Sequence, residues 1–334
     1  MAARYVNQVA KHHKFGGKIV KSEVSTKNPT VEFSAGLYNI QAESRGKEMK
    51  IFLSDSQNTE IKTHILFRFG MSGSWKLTTL EDLPKHAHLR FFTVDEKPQQ
   101  VLSFVDYRRF GRWEIDADWG ENRGPDPMFD YENFRRNILD NLSAAAFNHP
   151  ICETMLDQKY FNGIGNYLRA EILFRAGIPP FSQAREVLES PEQSNKDRDI
   201  ILLCHIVCLE VLQLDKGKNY EPQESDQTFS SWLRCYSIEG MNHISDHHGR
   251  TMWFAGKPGP MVPKNARVVG RKGGARYKIP KSGNGNNNKQ GKLSTSDEDP
   301  PPNLGKTDQK SKTDDEDEST SKRPRRSGRT RSKS

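Results

Sequence analysis

Apolar residues change their spacing along the chain, and each change marks a different kind of element. Residues 2–14 read AARYVNQVAKHHK. Ala2, Val6 and Ala10 share one helical face, and basic residues gather toward the C-terminal end, where a helix dipole favours them. Phe15-Gly16-Gly17 is expected to end that helix. From residue 18 to about 119 the period shortens to two. Leu37, Asn39 and Gln41 alternate with Tyr38, Ile40 and Ala42, and residues 51–53, 65–69, 89–94 and 101–105 continue the series between turn residues. So many short strands in about 100 residues predict a β-sandwich and not a parallel α/β sheet.

Residues 122–128, containing NRGPDP, form a polar, proline-containing break that reads as an interdomain linker. Helical spacing returns at Tyr131, Phe134, Ile138 and Leu142, after a possible cap at Asp130. Residues 150–160 read as a short helix with Ile151, Met155 and Leu156 inward. Gly163 and Gly165 then bracket a tight turn, and Asn166 opens a second helix with Leu168, Ile172 and Ala176 on its apolar face. Gly177 and Pro179-Pro180 stop it. Such a pair is either an ordinary helical hairpin or a helix start that offers unpaired N–H groups to a phosphate. Residues 198–214 are apolar almost all round, which predicts the most buried helix. Residues 216–227 read as an exposed polar loop, and 235–260 contain two strand-like runs around His247-His248-Gly249. The fold class is α+β: a β-sandwich with a leading helix over 1–121, a helical domain over 129–234, a hairpin over 235–263 and a tail over 264–334.

Composition adds a partner. The 334 residues carry a formal net charge of +8, which favours a polyanion, nucleic acid before membrane. No apolar run approaches the ~18 residues of a membrane span, and the N-terminus has no apolar secretory core. Cys152, Cys204, Cys208 and Cys235 lack framework spacing and read as reduced thiols of an intracellular protein. The tail holds an Asn/Gly tract, Pro300-Pro301-Pro302, acidic runs and a basic end, KRPRRSGRTRSKS. It reads as disordered. Its basic end fits a nuclear import signal or a nonspecific nucleic-acid contact, and a solubilising tail fits it as well as those two together.

Five stretches could carry chemistry. Lys47 lies in a turn, SRGKE, where an ordinary exposed lysine is the plain reading. Met71 sits between glycines in RFGMSGSW, a thin loop whose long apolar tip is exposed at a cost; core packing is the alternative. Arg108 and Phe110 lie in YRRFG, as a surface ion pair and a core aromatic or as something more. Asn166 offers a side-chain amide at a helix start, as a cap or a phosphate contact, and the Arg250 guanidinium suits a phosphate. Cys204, Cys208, Cys235, His243 and His247 could assemble into a metal site only without paired cysteine spacing, so no metal or other cofactor is expected.

NGIGNYLRAEIL closely resembles the helix-two-turn-helix of the formamidopyrimidine and endonuclease VIII class of DNA repair glycosylases. RGKEMK, RFGMSGSW, FVDYRRFGRW and HHGRTMWFAGKPGP resemble the same family in the same order, over residues 45–260. The closest likeness is to the vertebrate branch whose zinc finger has lost its zinc. That resemblance implies a base-excision repair glycosylase with abasic-site β-elimination activity on oxidised bases, acting in the nucleus as a monomer on damaged double-stranded DNA, with protein partners possible through the tail. It implies that Lys47 assists the chemistry in the lesion pocket. It implies that Met71, Arg108 and Phe110 fill the gap left by the extruded nucleotide, and that Asn166 and Arg250 grip phosphate. Lys218 and Tyr220, in the polar loop, would touch the extruded base. The hairpin would be held by packing and hydrogen bonds, Trp253 and Phe254 contributing.

In the family the nucleophile is an N-terminal proline followed by a glutamate. This sequence reads Met1-Ala2-Ala3-Arg4-Tyr5, and Tyr5-Val6-Asn7 resembles a point inside the family's first helix. Roughly eight residues of the pattern, or about 12 Å of helix, would lie ahead of it. The amine of Ala2 or Met1, or Lys47 itself, would be a substitute nucleophile. The readings are therefore an active glycosylase/lyase, a damaged-DNA-binding form that is catalytically impaired, or an unrelated nucleic-acid-binding protein that shares a hairpin.

Overall fold

A computed structural model describes residues 1–214, 229–264 and 266. Helix α1 (Ala2–His12) comes first. It is followed by β1 (Phe15–Lys18), β2 (Val20–Lys21), β3 (Ser34–Arg45), β4 (Glu48–Asp55), β5 (Lys62–Arg68), β6 (Ser74–Thr79), β7 (Ala87–Phe92), β8 (Gln100–Val105) and β9 (Arg112–Ile115). The strands form two antiparallel sheets, β1-β3-β4-β5-β9 and β2-β7-β8-β6. In β3 the inward residues are Tyr38, Ile40 and Ala42, so the alternation read in the sequence is the pleat itself. Between the sheets lies an aromatic core in which the Phe67 ring centroid is 5.1 Å from Trp75 and 5.3 Å from Phe104. Helix α1 buries Ala3, Val6 and Val9 against this core.

The expected helix stop at Phe15-Gly16-Gly17 is instead strand β1. The helix has already ended at His12, and a Cβ on Gly16 would lie 2.0 Å from the Gly36 carbonyl oxygen. Glycine is there for the close approach of β1 to β3, not to break a helix.

The second core is helical: α2 (Tyr131–Leu139), α3 (Ile151–Thr154), α4 (Asn166–Ala176), α5 (Ala184–Glu189), α6 (Ile200–Leu214) and α7 (Phe229–Trp232). A two-stranded hairpin, β10 (Asn242–Ser245) with β11 (Thr251–Phe254), packs on it. Two expectations need correction. The helix expected over 150–160 is the short α3 followed by turns. The most buried helix is α4 and not α6: Ile206 of α6 is 39% exposed, whereas Arg169 and Glu171 of α4 are fully buried. Apolarity all round marks a helix that can be buried, but α4 is buried because its charges find partners. The 216–227 loop, with Lys218 and Tyr220, and nearly all of the tail lie outside the described residues. Among the described residues no helix is long and apolar enough to cross a membrane.

All four cysteines are buried free thiols. Burial pushes the Cys208 and Cys235 thiols up to about 12 and raises Cys152 and Cys204 as well. Unfolding exposes thiols that ionise near ~8.5, so above that pH the unfolded chain releases protons that the folded chain keeps. Stability is therefore full below about pH 8 and falls as pH rises. The urea midpoint is expected to drop steadily between about pH 8 and 11. A thiol-reactive chromogen should find none of the four cysteines in native protein and all four in urea.

Candidate DNA interface and catalytic lysine

Lys47 stands at the tip of the β3–β4 turn, and the second lobe holds that turn in place. Gly46 takes φ +56° and donates its N–H to Asp126 Oδ2 at 2.7 Å. A Cβ on Gly46 would lie 1.9 Å from Asn162 Oδ1, so no other residue fits. Arg45 Nη2 donates to the Arg123 carbonyl at 3.0 Å, and Asn162 Nδ2 donates to the Gly124 carbonyl at 2.7 Å. The lysine turn, the linker and the helix-two-turn-helix turn therefore form one hydrogen-bonded block. It sets the exposed Lys47 ammonium 3.6 Å from the position a Cβ on Gly165 would occupy. Gly165 is the N-cap of α4, so the cation stands beside a helix N-terminus whose first-turn N–H groups attract an anion.

Asn166 is the first residue of that helix, and its side chain is not a cap. Its Nδ2 donates to the Thr251 carbonyl at 3.0 Å, and its Oδ1 accepts from Arg169 Nε at 2.9 Å. One amide N–H remains after the Thr251 bond. The Thr251 contact also fixes the neighbouring Arg250, which is exposed at the mouth of the β10–β11 turn. Lys47, Asn166 and Arg250 thus gather around the start of α4.

Met71, Arg108 and Phe110 form a second group. The organiser is Asp106, 1% exposed. Its Oδ1 accepts from the Ser72 hydroxyl and from Arg108 N at 3.2 Å, and its Oδ2 accepts from Gly111 N at 2.7 Å. A Cβ on Gly70 would lie 2.9 Å from Phe110, so the two loops touch. The Arg108 guanidinium lies over the Phe110 ring at 4.9 Å, while Phe110 is 52% exposed. Met71 is half-buried beside them. The groups are joined through Glu48, next to Lys47, whose buried carboxylate accepts from Arg68 Nε at 2.7 Å and Gly120 N at 3.0 Å. Arg68 then leads into the Met71 loop. Asp106→Ala would take the acceptor from the Ser72 hydroxyl and from Gly111 N, while Arg108 N keeps Ser72 Oγ at 3.1 Å, and is expected to destabilise the fold by ~1–3 kcal/mol. It should weaken binding to an abasic-site duplex more than binding to single strands; equal affinities would count against Asp106 as the organiser.

The hairpin is tied down by buried acids that sequence reading missed. Arg169 and Asp246, both fully buried, pair at 2.8 Å. Asp246 Oδ1 also accepts from His248 N and Arg250 N, each at 2.9 Å. Glu153 Oε1 accepts from His247 N at 3.0 Å and His247 Nδ1 at 2.6 Å. Glu171 Oε1 accepts from Cys235 N at 2.8 Å, Tyr236 N at 2.9 Å and Arg234 N at 3.1 Å. Charges inside the apolar run LRAEIL were the one available signal. The His243 ring centroid lies 4.5 Å from that of Trp253, the rings tilted by 35°, and among the described residues no three His, Cys, Asp or Glu side chains converge as a metal site would require.

The formamidopyrimidine-DNA glycosylase N-terminal domain matches residues 2–113, and the endonuclease VIII-like 1 DNA-binding domain matches residues 227–263. Endonuclease 8-like 1 of Mus musculus is 47% identical over 293 residues, covering 81% of this chain and 75% of the relative. The Homo sapiens protein is 46% identical over 288 residues, covering 80% and 73%. Among solved structures, MutM (Fpg) from Thermus thermophilus superposes with a TM-score of 0.57 at 21% identity, covering 76% of this chain and 96% of that one. Lactococcus lactis Fpg in complex with DNA containing N7-benzyl-Fapy-dG gives 0.55 at 21%, with the same coverage. The structural matches speak for the fold, and the sequence matches for descent. A sandwich whose lysine turn locks onto a glycine-capped helix start, read with these relatives, has one lineage: the chain belongs to the formamidopyrimidine-DNA glycosylase family, on its endonuclease 8-like 1 branch.

Proposed function

We propose that the chain excises oxidised bases from duplex DNA and then cuts the abasic strand by β-elimination. The observation that carries this reading is the placement of the Lys47 ammonium beside the N-terminus of α4. A lesion phosphate seated on that helix start would bring the sugar within reach of Lys47. The relatives favour the enzyme over the binding-only reading.

In base release an amine attacks the sugar C1′, the C1′–N bond breaks, and the base leaves with the bonding electrons and takes up a proton. The sugar ring then opens: the C1′–O bond breaks, its oxygen gains a proton, and the amine nitrogen's electron pair completes a Schiff base. A C2′ proton is lost and the 3′ phosphate departs. An ammonium at Lys47 can hand a proton to the departing base or ring oxygen and stabilise the phosphate charge. Asn166 and Arg250 hold the backbone phosphates. Met71, Arg108 and Phe110 occupy the vacated stack, offsetting part of the few kcal/mol that unstacking costs. Lys218 and Tyr220 would meet the extruded base. The chain is read as a monomer, to be checked by light scattering. The basic end of the tail is read as a nuclear import signal, to be checked by localising a chain lacking residues 322–334.

Incubation with an abasic-site duplex followed by borohydride tests the enzyme reading directly. A covalent protein–DNA adduct and a nicked strand are expected. Tight binding in a gel shift with neither product would leave the binding-only form standing.

A further inference from the structure

The polar break between the lobes is bonded along its length. Gly124, Asp126 and Pro127 are buried. Gly124 N donates to the Gln158 carbonyl at 3.0 Å, and the Gly124 carbonyl accepts from Asn162 Nδ2 at 2.7 Å. The Pro127 carbonyl accepts from Nδ1 of His205, on α6, at 2.7 Å. Asp130 N donates to the Asp126 carbonyl at 3.0 Å, just ahead of α2. A segment that swings freely keeps its backbone groups in water; this one gives them to the helical lobe.

Asp126 carries that anchorage across to the lysine turn. It is 4% exposed, and both carboxylate oxygens are occupied. Oδ1 accepts from Met128 N at 2.7 Å and Phe129 N at 3.3 Å, and Oδ2 accepts from Gly46 N at 2.7 Å. An amide of the same size has one acceptor oxygen, so on one side or the other its NH₂ would face an N–H donor. Gly46 also rests on the glycine turn ahead of α4. A Cβ on Gly163, at φ +90°, would lie 3.2 Å from Gly46 Cα, so the two turns meet backbone to backbone. Lys47 follows directly, its ammonium 3.6 Å from the Cβ position on Gly165. The path of contact runs from His205 through Pro127 and Asp126 to Gly46 and the lysine.

We propose that Asp126 is a positioning residue for the lysine chemistry: its carboxylate holds the Gly46 N–H and thereby sets the Lys47 ammonium at the start of α4. The linker is then a strap and not a hinge, and His205 is its anchor in the helical lobe. This rests on the glycosylase reading and deepens it, because it names the group on which the placement of the working amine depends.

Asp126→Asn tests it, since the volume is kept and one set of acceptor bonds is lost. Cleavage of an abasic-site duplex in single turnover at saturating enzyme should slow roughly ten- to hundred-fold, as a displacement of about 1 Å would cause. Duplex affinity should stay within about three-fold, because Asn166, Arg250, Met71, Arg108 and Phe110 keep their places; a role in stability alone would lower Tm and leave the saturating rate of the folded protein unchanged. His205→Ala should slow cleavage roughly three-fold at unchanged affinity, and the double variant should lose less than the product of the two, since both act through one strap. Folded Asp126→Asn protein that cleaves at the wild-type rate, or that loses rate and affinity in parallel, overturns the assignment, and so do losses that simply multiply. Should Asp126→Asn fail to fold, folded His205→Ala cleaving at the wild-type rate overturns it. Wild-type protein that binds the duplex without cleaving it overturns instead the glycosylase reading beneath.

Discussion

Lys47→Leu is expected to lower base excision and strand cleavage by roughly 10²–10⁴-fold, the range that a positioned proton donor contributes. Binding to an abasic-site duplex should stay within a few-fold of wild type, because Asn166, Arg250 and the group of Met71, Arg108 and Phe110 are untouched. The substitution removes an exposed side chain from a turn that Gly46 and Arg45 anchor to the second lobe, so the fold should survive. Gly46→Ala makes the informative partner. It keeps the amine but drives a methyl into Asn162 at a positive φ, so it should reduce cleavage by displacing the turn. Single-turnover rates beside gel-shift affinities separate the two effects. If Lys47→Leu cleaves at the wild-type rate, the amine at the start of α4 has no part in the chemistry.

The second large effect is structural. Asp246→Ala is expected to destabilise the protein by about 3–5 kcal/mol, since it leaves the Arg169 guanidinium fully buried with no counter-charge. For a core of this size that is a fall in Tm of about 10 °C. The same carboxylate orders the β10–β11 turn through His248 and Arg250, so DNA affinity should fall along with stability. Asp246→Asn, which keeps an acceptor but not the charge, should lie between. Thermal unfolding with and without duplex measures both. A Tm within a degree of wild type for Asp246→Ala would mean that the hairpin is held by packing alone.

The elements most readable in the sequence were those where one physical rule acts locally. Strand β3 showed its pleat in Tyr38, Ile40 and Ala42, and Gly177 closed α4 in the left-handed conformation that its position called for. Glycine at 16 misled because its reason is long-range, the approach of β3. Asn166 looked like a cap because caps are local, whereas its amide bonds Thr251, 85 residues away.

The α+β class, the order of the elements and the residue types able to meet a polyanion were all written in the linear chain, since periodicity and side-chain chemistry belong to short stretches. Which of those residues meet became visible only on folding. Asp126 and Asn162 bring Lys47 to the start of α4, Asp106 joins two distant loops, and Arg169 is buried with Asp246. A buried charge or a positive-φ glycine is tolerable only where a specific partner waits, and that partner can lie anywhere along the chain.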